Sequence, residues 1–117
     1  MSEDSLTGLR DRMRVFTRDR DWEQFHDPKS LALALVGEVG ELAELLQWLP
    51  ADKAAELADQ ERLNARLGEE LSDVLIYLVR LADVCGVDLP KAVAQKMESS
   101  AARYPSEQVL GIAPEKG

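Results

Sequence analysis

A single cysteine, Cys85, stands among 117 residues, so no internal disulfide framework can staple this chain. Strand signals are almost absent. No apolar run is long and charge-free enough to cross a bilayer, and no basic-then-apolar start reads as a signal peptide. Together with the lone thiol, these absences predict a reducing, cytoplasmic compartment and no membrane partner. Positive charge is scarce too: 14 Lys and Arg against 22 Asp and Glu leave a net charge of -8. That is the wrong sign for a nucleic-acid polymer. A nucleotide stays open as a partner, because a bound divalent metal inverts the local charge. There is no internal repeat and no low-complexity segment.

What is present is helical periodicity. A first helix runs from about Leu6 to Arg20, with Ser5 as N-cap and Leu6, Leu9, Met13 and Phe16 at helical spacing. A connector, Asp21 to His26, leads to a second helix that opens on Asp27-Pro28, a capping Asp before a Pro at the first helical position. This helix extends to Gln47 or Trp48. The third helix must start near residues 62 to 64 if it is to bring its acids level with those of an antiparallel second helix. Leu49 to Glu61 is then a connection with a short helix around Lys53 to Asp59. The third helix runs to Cys85, where Gly86 ends it. A fourth follows Asp88, with Pro90 in its first turn, and stops at Tyr104-Pro105. The expectation is an all-α fold of four main antiparallel helices over residues 1–105, then a flexible tail, 106–117.

Two acidic pairs, Glu38-x-x-Glu41 and Glu70-x-x-Asp73, interrupt the two most apolar helices. Glu38 points the same way as Leu31, Ala34, Leu35, Leu42 and Leu45; Glu70 shares its side with Leu63, Leu67, Val74, Tyr77 and Leu81. Glu41 and Asp73 lie one turn on, at the edges of the same stripes. Carboxylates facing an interior cannot all stay ionised uncompensated. They share protons, meet cations or hold a metal, and an all-oxygen set suits Mg²⁺, with Mn²⁺ as the second choice. Glu44 and Glu69 point away and read as solvated.

Other residues carry weaker signals. Tyr77 lies one turn after Asp73, as a core aromatic or as a donor to a ligand. Arg80 is on that side and can neutralise Asp73. Lys96, Ser100 and Arg103 share a stripe of the fourth helix, either a phosphate clamp or a solvated basic face. Trp22 and Trp48 stand at helix boundaries, as packing anchors or as stacking partners for a base. His26 receives no role. The third helix is apolar nearly all round, more than one subunit of four helices covers, which points to a homo-oligomer.

Four stretches sharpen this picture: RDWEQFH from Arg20, LALVGEVGELAEL from Leu33, EELSDVLIYLV from Glu69 and VDLP from Val87. With the E-x-x-E and E-x-x-D motifs, they resemble the all-α nucleoside triphosphate pyrophosphatases of the MazG-like superfamily, in the dCTP pyrophosphatase branch. The resemblance covers roughly residues 6 to 105. It implies Mg²⁺-dependent hydrolysis of a deoxynucleoside triphosphate, dCTP or a modified dCTP, to the monophosphate and pyrophosphate. It also implies that Glu38, Glu41, Glu70 and Asp73 carry the metal. Spacing does not select the general base; Glu41 is the first choice, because its stripe-edge position is expected to be wetter than that of Glu38. Trp22 and Trp48 would flank the base, and Tyr77, Lys96 and Arg103 would reach sugar or phosphates. The assembly would be a dimer or dimer of dimers, a tetramer being favoured. Two positions depart from the branch: Met13 replaces a His, and Ser100 replaces an Asn. These bear on base or sugar selectivity. The rivals are the same chemistry on dUTP or another pyrimidine nucleotide, and a non-catalytic helical-bundle interaction protein.

Overall fold

The computed structural model describes residues 5–113. Among these residues every regular element is helical. The chain divides into two compact units, Met1–Val87 and Asp88–Gly117.

The first unit holds α1 (Leu6–Asp19), a 3₁₀ turn (Glu23–Phe25), α2 (Pro28–Leu46), α3 (Ala54–Ala58) and α4 (Glu61–Val84). Local chemistry sets the boundaries. Ser5 Oγ accepts the Gly8 N–H at 2.9 Å and Asp27 Oδ1 accepts that of Ser30 at 2.9 Å, so each helix start satisfies an otherwise free donor. Gly86 ends α4 with φ +71, the left-handed conformation that suits a residue without Cβ. The Val87 N–H then reaches back to Ala82 O at 2.8 Å and that of Gly86 to Asp83 O at 3.1 Å, the Schellman pattern.

α4 is the expected third helix and the spine of the unit, with α1, α2 and α3 packed against it. Among the described residues, Leu31 of α2 and Leu67 and Val79 of α4 are the buried apolar ones. A second apolar stripe on each of these helices lies in solvent: Leu33, Val36 and Val39 on α2, and Leu71, Leu75 and Leu78 on α4.

The second unit holds α5 (Leu89–Arg103) and α6 (Ser106–Val109). Asp88 caps α5 by accepting the Lys91 N–H at 3.1 Å, with Pro90 in the first turn. The segment expected as a tail thus carries a one-turn helix, while its residues 114–117 lie outside the described part. Among the described residues no helix is long and apolar enough to cross a membrane.

Candidate active site

α2 and α4 bring three carboxylates together. Glu38, Glu41 and Glu70 each offer an oxygen, and these oxygens lie within 4.8 Å of one another. Glu41 is exposed, whereas Glu38 and Glu70 are half-buried. Glu38 Oε2 and Glu70 Oε2 are both shut off from solvent with no hydrogen-bond partner. A buried acceptor left unpaired is costly, and two beside a third negative charge cost more. Loss of hydration, then the charges of Glu41 and Asp73, push the Glu38 carboxyl above its ordinary range. Glu70 is raised likewise, first by loss of hydration, then by Glu41, Glu38 and Asp73. Vacant lone pairs on an all-oxygen set fit a hard divalent cation.

Asp73 is not part of the three-oxygen set. It lines a neighbouring cavity of ≈ 230 Å³ together with Trp22, Tyr77, His26 and Met13. Trp22 meets Phe16 edge-on, with ring centroids 5.8 Å apart, and Phe16 carries the Arg20 guanidinium 3.7 Å above its face. The Trp22 N–H donates to Thr17 O at 2.9 Å, which fixes the connector to the end of α1. Trp22, Tyr77 and Asp73 therefore share one wall-lined space. Trp48 does not line it and stands 86% exposed beyond α2. Lys96, Ser100 and Arg103 belong to α5 of the second unit, where Lys96 and Arg103 are exposed and Arg103 lies 5.1 Å from the Tyr104 ring centroid.

Arg80 does not neutralise Asp73. Two helical turns separate them, about 10.5 Å of rise, whereas Asp83 is one turn away. Arg80 Nη1 donates to Asp83 Oδ2 at 3.4 Å, and its Nε donates to His26 Nδ1 at 3.0 Å. His26, given no role from sequence, thus belongs to the cavity, as does Phe16. No local sequence pattern joins His26 or Phe16 to this cavity.

A MazG-like family model matches residues 34–115. The chain belongs to the MazG-like family. This MazG-like chain is 56% identical over 112 residues to dCTP pyrophosphatase 1 of Bos taurus, covering 96% of the chain and 66% of that relative. With dCTP pyrophosphatase 1 of Homo sapiens it shares 54% over 104 residues, covering 89% and 61%. The chain spans just under two-thirds of the length of these curated relatives. A pyrophosphatase from Archaeoglobus fulgidus superposes with a TM-score of 0.78 at 39% identity, over 86% of this chain and 92% of that one.

Proposed function

We propose that this MazG-like chain hydrolyses dCTP, or a modified dCTP, to the nucleoside monophosphate and pyrophosphate with Mg²⁺. The observation that carries the reading is the orphaned pair Glu38 Oε2 and Glu70 Oε2, beside Glu41 and one turn from a cavity lined by Trp22, Tyr77 and Asp73. The relatives named dCTP pyrophosphatase supply the substrate class.

In this reading Glu38, Glu41, Glu70 and Asp73 would hold Mg²⁺, with Mn²⁺ as a substitute. A metal held there would supply neutralisation of triphosphate charge and a lowered pKa for the attacking water. Glu41, the exposed member of the set, accepts the proton of that water. The water oxygen forms the new bond to the α-phosphorus, and the bond to the bridging oxygen breaks. Pyrophosphate leaves with the electron pair of the broken bond. Tyr77 donates its hydroxyl to the sugar or phosphate. Lys96, Ser100 and Arg103, on one stripe of α5, enter this reading as phosphate-binding residues through the family resemblance alone. Trp22 and Phe16 pack against the base.

A second reading keeps the chemistry but takes dUTP or another pyrimidine nucleotide. Met13 favours it, because its thioether lines the cavity without a donor to read the base edge. The assembly is a homo-oligomer, a tetramer, in which the exposed stripes of α2 and α4 are covered and Trp48 reaches a base. The reaction is set in the cytoplasm.

The test is pyrophosphate release from a nucleotide panel, with Mg²⁺, with Mn²⁺ and with chelator. Release from dCTP that chelator abolishes is expected. Faster release from dUTP selects the second reading. No release from any nucleotide with either metal leaves a non-catalytic helical-bundle interaction protein.

A further inference from the structure

Arg80 has no part in the reaction above, yet it is 8% exposed and lines the Trp22 cavity. Burying a guanidinium is costly, so its partners reveal what it holds. Nε donates to His26 Nδ1 at 3.0 Å, across 54 residues of sequence. Nη1 donates to Asp83, and Asp83 in turn accepts from Arg14 Nε of α1 at 2.8 Å. One polar chain therefore ties α1, α4 and the connector together.

The bond to Nδ1 also fixes the state of the imidazole. An accepting nitrogen carries no proton, so the neutral ring holds its proton on Nε2. Adding a proton at Nδ1 sets two donors face to face. Burial, then the Arg80 charge, lower the His26 pKa from 6.5, with Glu23 acting in the opposite sense. Asp73 and Tyr77 of α4 are the other titratable cavity groups; Met13, Phe16 and Thr17 of α1 and Leu31 of α2 carry no charge.

We propose that Arg80 is a positioning residue for the nucleotide cavity: through His26 it clamps the Asp21–His26 connector onto α4 and so sets where Trp22 stands beside Tyr77 and Asp73. The Trp22 N–H bond to Thr17 O holds one end of the connector, and the His26–Arg80 bond holds the other. What the cavity binds rests on the function proposed above; the clamp does not, and it is tested without turnover.

His26 is the single histidine, so one imidazole signal reports it in NMR. Trp48→Phe leaves Trp22 as the sole tryptophan emitter, since the chain has two. The full chain in that background is titrated from about pH 8 to about pH 5, across the ordinary histidine range. Imidazole shift and Trp22 emission are expected to change together, with a midpoint below 6.5. Arg80→Met moves the imidazole midpoint up and uncouples the emission from it. His26→Asn keeps an accepting oxygen that does not titrate, so the emission stays flat. In the otherwise native chain, Arg80→Met raises KM for dCTP about tenfold, the scale of one lost hydrogen bond, and leaves kcat within about twofold. An imidazole midpoint and Trp22 emission unchanged by Arg80→Met overturn the clamp. If Arg80→Met does not fold, His26→Phe takes its place: its emission at about pH 8 must match that of the acid form, and a native-like emission overturns the clamp. A linked titration in a chain that turns over no nucleotide sinks the proposed function and leaves the clamp standing.

Discussion

Glu38 and Glu70 meet across the α2–α4 seam, and each keeps one carboxylate oxygen out of solvent without a donor. Neither helix needs these acids for its own stability. A seam of this kind is normally closed by apolar side chains, as Leu31, Leu67 and Val79 close the rest of the first unit. The two acids are therefore a cost to the metal-free fold, and the cost has a measurable pH dependence.

The contribution of Glu38 and Glu70 to the stability of the metal-free protein should fall as pH rises above the ordinary glutamate value of 4.5. Below that value both carboxyls are protonated, folded or unfolded, and the seam costs little. Above it the unfolded chain has released protons that the fold still retains, because both folded values are raised; stability then declines through the raised range. Glu70→Gln should raise the melting temperature of the metal-free protein at neutral pH. The same variant should lose the rise in melting temperature that Mg²⁺ gives the native chain. Calorimetry with and without Mg²⁺ decides; a lower metal-free melting temperature for Glu70→Gln would contradict the prediction.

Activity should move the other way. Glu38→Gln, Glu70→Gln and Asp73→Asn each vacate a ligand position or alter the charge at the metal, so each is expected to lower turnover by orders of magnitude with helical content intact. Asp73 is the informative member, since it lies outside the three-oxygen set. Wild-type turnover by Asp73→Asn at limiting Mg²⁺ would remove it from the ligands.

The two tryptophans should behave differently. Stacking on a base is worth ~1–3 kcal/mol and tolerates many bases. Trp22 already lines the cavity, so Trp22→Ala should raise KM for every nucleotide that binds. Trp48 is 86% exposed in one chain, so Trp48→Ala should leave the melting temperature nearly unchanged. It should raise KM if a second subunit carries it to a base. Steady-state kinetics and melting on both variants separate the outcomes; an unchanged KM in folded Trp48→Ala rejects its stacking role.

The proposed assembly rests on the stripes left in solvent. Leu33 is 63% exposed, Val36 67% and Leu71 52%, on two faces that one subunit does not cover. Exposed apolar stripes of this kind are the expected contacts of the proposed oligomer. A tetramer is expected in sedimentation at micromolar concentration, and Val36→Glu with Leu75→Glu should shift it to smaller species. A native chain that sediments as a monomer under these conditions would exclude the proposal.

Features that depend on near neighbours in the chain were legible in the sequence. Ser5, Asp27-Pro28, Asp88 and Gly86 mark helix ends through contacts within a few residues, and all four act at helix ends in the structure. The stripe positions of Glu38 and Glu70 follow from the helical period, which placed both at a packed seam. Contacts that join distant elements were not legible. Arg80 meets His26 across 54 residues and Arg14 meets Asp83 across 69, and no local pattern selects either pair. Asp73 shows the limit of periodicity: it is one turn from Glu70, yet its oxygens fall outside the set that Glu38, Glu41 and Glu70 form. Helix rotation is read to the nearest turn, and side-chain reach is settled by tertiary packing.

The acids ride on the interiors of two long helices, not on loops, so the spacing of their oxygens is a property of the seam. Packed helix axes stand about 8–10 Å apart, at a distance set by the side chains between them. Mg²⁺ accepts oxygens only near about 2.0–2.1 Å, while Ca²⁺ tolerates about 2.3–2.6 Å. Leu31 and Leu67 are buried on these two helices. In the proposed reading, trimming either one is expected to shift the spacing of the acidic oxygens, and with it the preferred cation, without altering a ligand.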